Sequence, residues 1–292
     1  MASFLIWINQ PHSQHNCQLL FKDHRTTHRH STATEVKSHP MRNPIRRWWR
    51  RRQLKKGTQL PTRLMRILKW GWRLALLFIV LDTFYLILIW PDWDRFAAGE
   101  IPKSRFIRDY EAQMQGSRTG LSWRPVPYKW MPKHLSRAVI VAEDARFYSH
   151  HGFDLLAFKE AMDTNLERME FKYGASTISQ QTVKNLFLTG SRNPLRKWHE
   201  LVLTVGMEFN LDKNRILETY LNIAEFGEGI YGVEAAAQHY FAKPVYALDE
   251  YEAAELAATL PSPIKHNPQT RTKRFLKRSQ KIYRWMQAHK QN

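Results

Sequence analysis

Apolar and polar positions divide this chain into one continuous apolar run and a longer stretch of helical periods. From Leu74 to Trp90, seventeen residues carry a single charge, Asp82, a length within the range that spans a bilayer as a helix. Tryptophans at 70, 72 and 90 suit the two interfaces, and Pro91, Asp92 and Asp94 close the run. The anchor is expected over 70–90. Asp82 is the one position that argues for a buried core helix instead, because a carboxylate in mid-membrane is costly unless paired or protonated. Further on, apolar residues recur with the helical period. Leu135, Ala138, Val139 and Ala142 predict a helix that ends near 150–152. Leu201, Val205, Glu208 and Phe209 predict another over about 195–210. Asp212 is placed to cap the next helix, whose buried face is Ile216, Leu217, Tyr220, Leu221 and Ala224. Asp249 and Glu252 form a capping box for a helix that stops at Pro261. Few runs alternate with period two, and no segment repeats. The fold class is therefore mostly α, with one transmembrane helix ahead of a unit of 202 residues, 91–292, long enough to bury a core.

Charge sharpens this picture. The net charge is +19, which, evenly spread, would suggest a nucleic-acid partner. It is not evenly spread. Residues 41–73 hold twelve Lys/Arg and no acid, and 271–292 hold eight basic residues and no acid. The body, 74–270, carries 21 basic residues against 24 acidic ones. A membrane surface is the expected partner and nucleic acid is not. By the positive-inside rule the N-terminal side is cytoplasmic and the body lies outside. The run is long and no small-residue cleavage site follows it, so it reads as an uncleaved signal anchor. Residues 1–40 hold six of the thirteen histidines and the sole cysteine, Cys17, without any period. Met41 opens MRNPIRRWWRRRQLKK, which reads as the natural start. That makes 1–40 a non-native or disordered extension and 41–69 a basic cytoplasmic segment. One cysteine rules out an intrachain disulfide framework. The basic stretch 271–292 is read either as an exposed closing helix or as a binder of anionic headgroups.

Three polar clusters interrupt the helical pattern. In the first, Glu143-Asp144-x-x-Phe147-x-x-His150-x-Gly152, Glu143 follows the apolar stretch VIVA; it is either an ordinary exposed carboxylate or a group with a task. In the second, Gly174-x-Ser176-Thr177-Ile-Ser179-Gln180-Gln181-x-x-Lys184-Asn185 packs hydroxyls and amides where a core has little use for them. Opening a helix, they would present donors to an anion; alternatively Ser176 or Thr177 is simply an N-cap. The third brings Arg192, Arg196, Lys197 and Glu200 close behind Lys184. These four cations within fourteen positions are a solvated charge run or a phosphate clamp.

Taken together, the clusters resemble the first three signatures of the family 51 glycosyltransferases, the peptidoglycan polymerases. Lys213-Asn-Arg-Ile216-Leu217-Glu218-Thr-Tyr220-Leu221-Asn222 resembles a fourth signature, and Gly229-Ile-Tyr-Gly232-Val233 running on to Tyr240-Phe241 a fifth. With one anchor and one catalytic domain, the chain is most similar to the monofunctional members. Ser262-x-x-Lys265 lacks the partner motifs of a transpeptidase.

The resemblance implies a lysozyme-like catalytic domain with a smaller membrane-facing lobe. It implies polymerisation of lipid II into glycan strands at the bacterial inner membrane, with the catalytic domain periplasmic, inversion at the anomeric carbon and release of polyprenyl pyrophosphate. It makes Glu143 the general base and Glu200 a second catalytic glutamate that orients the site or helps hold a divalent metal, Mg or Mn. Asp144, Phe147, His150, Ser176, Thr177, Gln181, Lys184, Asn185, Arg192, Arg196 and Lys197 become substrate-binding residues, with a scaffold role the alternative for Asp144, Phe147 and His150. The implied partners are lipid II, the growing glycan chain, membrane lipids, and other cell-wall synthesis and division proteins. The rival readings are a lysozyme-like lytic enzyme and a catalytically silent scaffold for cell-wall assembly.

Overall fold

A computed structural model describes residues 61–114, 120–169, 174–191 and 193–289. The expectations for 1–40, for most of 41–69 and for Arg192 fall outside them. Contacts divide the chain at Lys69, and Trp70–Asn292 forms one compact unit.

Helix α1, Thr62–Leu88, has 27 residues and is long and apolar enough to cross a membrane. It starts ahead of the apolar run because the carbonyl of Pro61 accepts from the Met65 N–H and opens the helix there. It stops just before Pro91, which disfavours helical backbone at the residue preceding it. Two short helices follow, each capped by its preceding side chain: α2, Trp93–Ala98, by Asp92 and α3, Arg105–Gln113, by Ser104.

Helix α4, Lys133–Glu143, buries Leu135, Ala138 and Val139 as their spacing predicts. It ends well short of 150–152, because Asp144 leaves the helical region with φ −160° and ψ 73°. The Asp144 carboxylate turns aside to accept from the Ile178 N–H at 3.0 Å and to meet His150 Nε2 at 2.9 Å. A single 3₁₀ turn, Phe147–Ser149, follows and sinks Phe147 into the core. Gly152 then takes φ +90°, and a Cβ there would meet Thr204 at 2.8 Å, so only glycine turns the chain at this point.

Helix α5, Leu155–Arg168, is capped by Asp154. Helix α6, Ile178–Phe187, opens with a capping box of Thr177 and Gln180. Helix α7, Pro194–Asn210, has Asn193 as cap and proline in its first turn. Asp212 caps α8, Lys213–Ile223, and the five apolar residues expected to be buried there are buried. Helix α9 spans Val233–Phe241, and α10, Glu250–Thr259, carries the expected capping box of Asp249 and Glu252. The only sheet among the described residues is small: β1 Ser122–Trp123, β2 Glu225–Gly227 and β3 Ile230–Tyr231, in the order β1-β3-β2. β1 lies parallel to β3, and β2 antiparallel.

The basic stretch at the end is a closing helix with one face exposed and the other buried. It forms α11, Lys273–Ala288, which buries Phe275, Ser279, Ile282 and Met286 on one face. Lys273, Lys277 and Lys281 point to solvent, and the apolar face packs on α4 and α10. Helix α6 packs in turn between α7 and α8. The C-terminal end of α4 is thereby brought to the side of α6.

Candidate active site

Glu143, the last residue of α4, is nearly buried. Its Oε2 accepts from Gln181 Nε2 at 2.9 Å, and its Oε1 accepts from Arg278 of α11 at 2.8 Å. The Gln181 carbonyl accepts in turn from the Tyr220 hydroxyl at 3.2 Å, so the amide has one orientation and its N–H faces the carboxylate. Burial pushes the Glu143 carboxyl above its ordinary range. The Gln181 hydrogen bond and the charges of Arg278 and Lys184 pull it back towards the ionised form. A carboxylate so balanced is suited to take up a proton and release it again.

Glu143 lines one cleft, and its partner Gln181 lines a second. One, of about 270 Å³, is lined by Glu143, Glu160, Gly174 and Ser176. The other, of about 180 Å³, is lined by Gln181, Lys184, Asn185, Tyr220 and Glu225. Burial pushes the Lys184 ammonium below its usual value, and the charge of Glu200 opposes this most strongly.

Glu200 lies on α7 with its side chain 3% exposed. Arg196 holds its Oε2 at 2.8 Å from one helical turn away, and Lys197 contacts Oε1. Both carboxylate oxygens are thus taken by cations, with Lys184 adding more positive charge. That donor set does not fit a divalent metal held by Glu200. Among the described residues, a cluster with ligand-like spacing is formed by Asp144, His150 and Asp154. It is committed to the scaffold: Asp144 to Ile178 and His150, Asp154 to Arg146 at 2.7 Å and to the Ala157 N–H at 2.8 Å.

Several residues expected to touch substrate hold the site together instead. Phe147 is fully buried, with Lys213 Nζ 4.5 Å from its ring centre. Asp144 and His150 tie the turn after α4 to the start of α6. Thr177 caps α6, and its hydroxyl also donates to the Gly152 carbonyl at 2.6 Å. Ser179 donates to Glu208. The donor-rich opening of α6 is thus spent within the protein, its donors taken up in part by the carboxylates of Asp144 and Glu208; Ser176 alone of these hydroxyls stays exposed. Gln181, Lys184 and Asn185 do face the cleft, and Arg196 and Lys197 surround Glu200. Phe147→Ala should cost about 3–5 kcal/mol of stability, as for other buried aromatic truncations, measured by denaturant unfolding of the purified protein. A loss below about 1 kcal/mol would return Phe147 to the list of ligand contacts.

Arg278 is the residue that sequence reasoning missed. It was counted with the basic stretch at the end of the chain, but it sits beside Ser279 in the apolar stripe of α11, turned inward. That stripe, 275-279-282-286, was the available signal.

Comparison with known proteins adds an independent line. The transglycosylase family profile matches residues 112–287. A biosynthetic peptidoglycan transglycosylase of Ralstonia nicotianae is 49% identical over 163 residues, 55% of this chain and 70% of its own length. One of Nitrosospira multiformis is 40% identical over 200 residues, 67% and 86% of the two chains. One of Neisseria gonorrhoeae is 36% identical over 225 residues, 76% and 95%.

Proposed function

The chain belongs to the transglycosylase family and is a peptidoglycan glycosyltransferase, and we propose that Glu143 is its general base. The observation that supports this role is the position of the Glu143 carboxylate, near-buried in the wall of a cleft, hydrogen-bonded by Gln181 and Arg278 and within the field of Lys184. The substrates are lipid II and the growing glycan chain. The acceptor hydroxyl gives its proton to Glu143 as it attacks the anomeric carbon of the donor. The anomeric bond to pyrophosphate breaks, its electron pair leaves with polyprenyl pyrophosphate, and the centre inverts. That leaving group needs charge neutralisation more than a proton, and Lys184 supplies it with Arg196 and Lys197 behind. Arg192 keeps the same role by resemblance. Glu200 holds Arg196 and Lys197 in place, so it orients cations and has no part in proton transfer. A divalent cation enters this scheme only as a counter-ion of the pyrophosphate.

A lytic enzyme must protonate a poor leaving group and has no use for the cations Lys184, Arg196 and Lys197 gathered beside the site. The lytic and silent-scaffold readings are not favoured. Helix α1 and the family fit a membrane-anchored protein. We place its N-terminal side in the cytoplasm and the catalytic unit in the periplasm, because the twelve basic residues precede the span. The test is incubation of the purified full chain with labelled lipid II, followed by sizing of the product. Glycan polymers support the proposal, whereas unchanged lipid II or cleaved glycan overturns it.

Arg278 gives a sharper check on the base. A general base works only when ionised, so kcat/KM falls as pH drops through its raised pKa. Arg278 favours the ionised form; its removal moves that pKa further up. The acid limb of the pH–rate profile should therefore shift to higher pH in Arg278→Gln, with the rate recovering on the alkaline side. A limb that stays in place would separate Arg278 from the base.

A further inference from the structure

Helix α1 is exposed along its first turns and then develops one covered face. Asp82 and Leu86 are half-buried on that face, and past the end of α1 Ile89 is half-buried and Trp93, the first residue of α2, is buried. What covers it at the start is α7. Asp82 Oδ1 lies 2.7 Å from His199 Nε2, and Oδ2 accepts from Trp198 Nε1 at 3.0 Å. The Asp82 side chain is 13% exposed and that of His199 8%. The Tyr85 ring lies 5.1 Å from the His199 ring. Eight residues on, just past the end of α1, there is a second contact, where the Trp90 ring fills the place a side chain at Gly206 would take, so that a Cβ there would meet it at 2.7 Å.

Resting on the transferase reading above, we propose that Asp82 is a positioning residue: seated on His199 and Trp198, it clamps the anchor to the helix that carries Arg196, Lys197 and Glu200, and so fixes the height of the cleft at the membrane surface. Two contacts, at Asp82 with 198–199 and at Trp90 with 206, set both register and direction; one contact would leave a hinge. Asp82 lies about 12 Å along the helix from Trp90, on the membrane side of that interfacial ring. An unpaired carboxylate at that depth is costly, so it favours the docked arrangement over any in which it faces lipid. The side of α7 left uncovered suits the same setting, since Leu195, Trp198, Val205 and Phe209 are exposed there and Phe209 is 84% exposed. His199 precedes Glu200 directly, so a shift of α7 on the anchor moves the cations with it. The donor is itself anchored by a prenyl chain, and its pyrophosphate is presented at one level. The clamp matches the cleft to that level.

The test compares Asp82→Leu, Asp82→Asn and His199→Leu in the full chain, with lipid II held either in phospholipid vesicles or in detergent micelles, which have no fixed plane. Asp82→Leu should raise KM about three- to tenfold in vesicles, the range for one interhelical polar contact in a membrane. In micelles it should match the parent chain. Asp82→Asn keeps an acceptor for Trp198 and an amide for His199, and should restore the vesicle KM. The double Leu variant should be no worse than either single one, because the two side chains act as a pair. Equal losses in vesicles and micelles, no loss in either, or additive losses would overturn the clamp. Failure of the parent chain to polymerise lipid II in either setting would instead remove the transferase reading beneath it.

Discussion

Glu143→Gln should lower glycan polymerisation by about 10²–10⁴-fold, the usual worth of a positioned general base, and leave lipid II binding nearly unchanged. The substitution keeps the shape of the side chain and an oxygen that can accept from Gln181 Nε2. It removes the capacity to take a proton. Burial has raised the carboxyl above its ordinary range, so the acid limb of kcat/KM in the parent chain should lie above that of an exposed glutamate. In the Gln variant that limb should disappear along with the activity. The separate assignment of Glu200 makes a contrast. Glu200→Gln removes the charge that Arg196 and Lys197 share, which disorders the cations but leaves the proton acceptor in place, and its defect should be smaller. The measurement is initial rate against lipid II concentration for each variant, with binding followed separately. Near-normal turnover in Glu143→Gln together with abolished turnover in Glu200→Gln would show that the base is the other glutamate.

What could be read from the chain follows the range of the forces involved. The face of α8 was legible because Ile216, Leu217, Tyr220, Leu221 and Ala224 follow one local period, and Asp212 and Asp249 were legible as caps for the same reason. The end of α4 was not. It is set by Asp144 bonding to Ile178, 34 positions away, and nothing in the local pattern marks that contact. For Phe147 and His150 the resemblance leaves substrate contact and scaffold both open; the burial of Phe147 and the contact of His150 with Asp144, neither visible in the local pattern, make them scaffold. The pairing of Arg196 with Glu200 could have been read from spacing, since residues four apart on a helix are neighbours. Asp82 was visible as an anomaly in the apolar run, and the cost of a mid-membrane carboxylate demanded a partner. The partner lay 117 positions further on, beyond any pattern argument. Arg278 failed for a different reason: its charge was summed with its neighbours when its helical phase set it apart from them.

Lys184 is where the charge of the leaving group and the charge of the base meet. Its ammonium lines the cleft beside Gln181 and Asn185, and both Glu200 and Glu143 act on it. Pyrophosphate is present in the bound donor as one charge pattern and in the departing group as a more concentrated one. A cation directed at it therefore strengthens binding and stabilises the transition state further still. Lys184→Ala should raise KM and also lower kcat, with a combined loss in kcat/KM of roughly 10²–10³-fold, the range for one charge-stabilising donor in such a site. A second consequence follows from the pull of Lys184 on Glu143. Without that ammonium the Glu143 carboxyl holds its proton to higher pH, so the acid limb should move upward in the same variant. Lys184→Arg keeps the charge and should leave the limb near its parent position, while losing rate through the wider, planar head. Initial rates across pH and lipid II concentration test both effects together. A rise in KM with kcat and the acid limb unchanged would reduce Lys184 to a binding contact remote from the reacting bond.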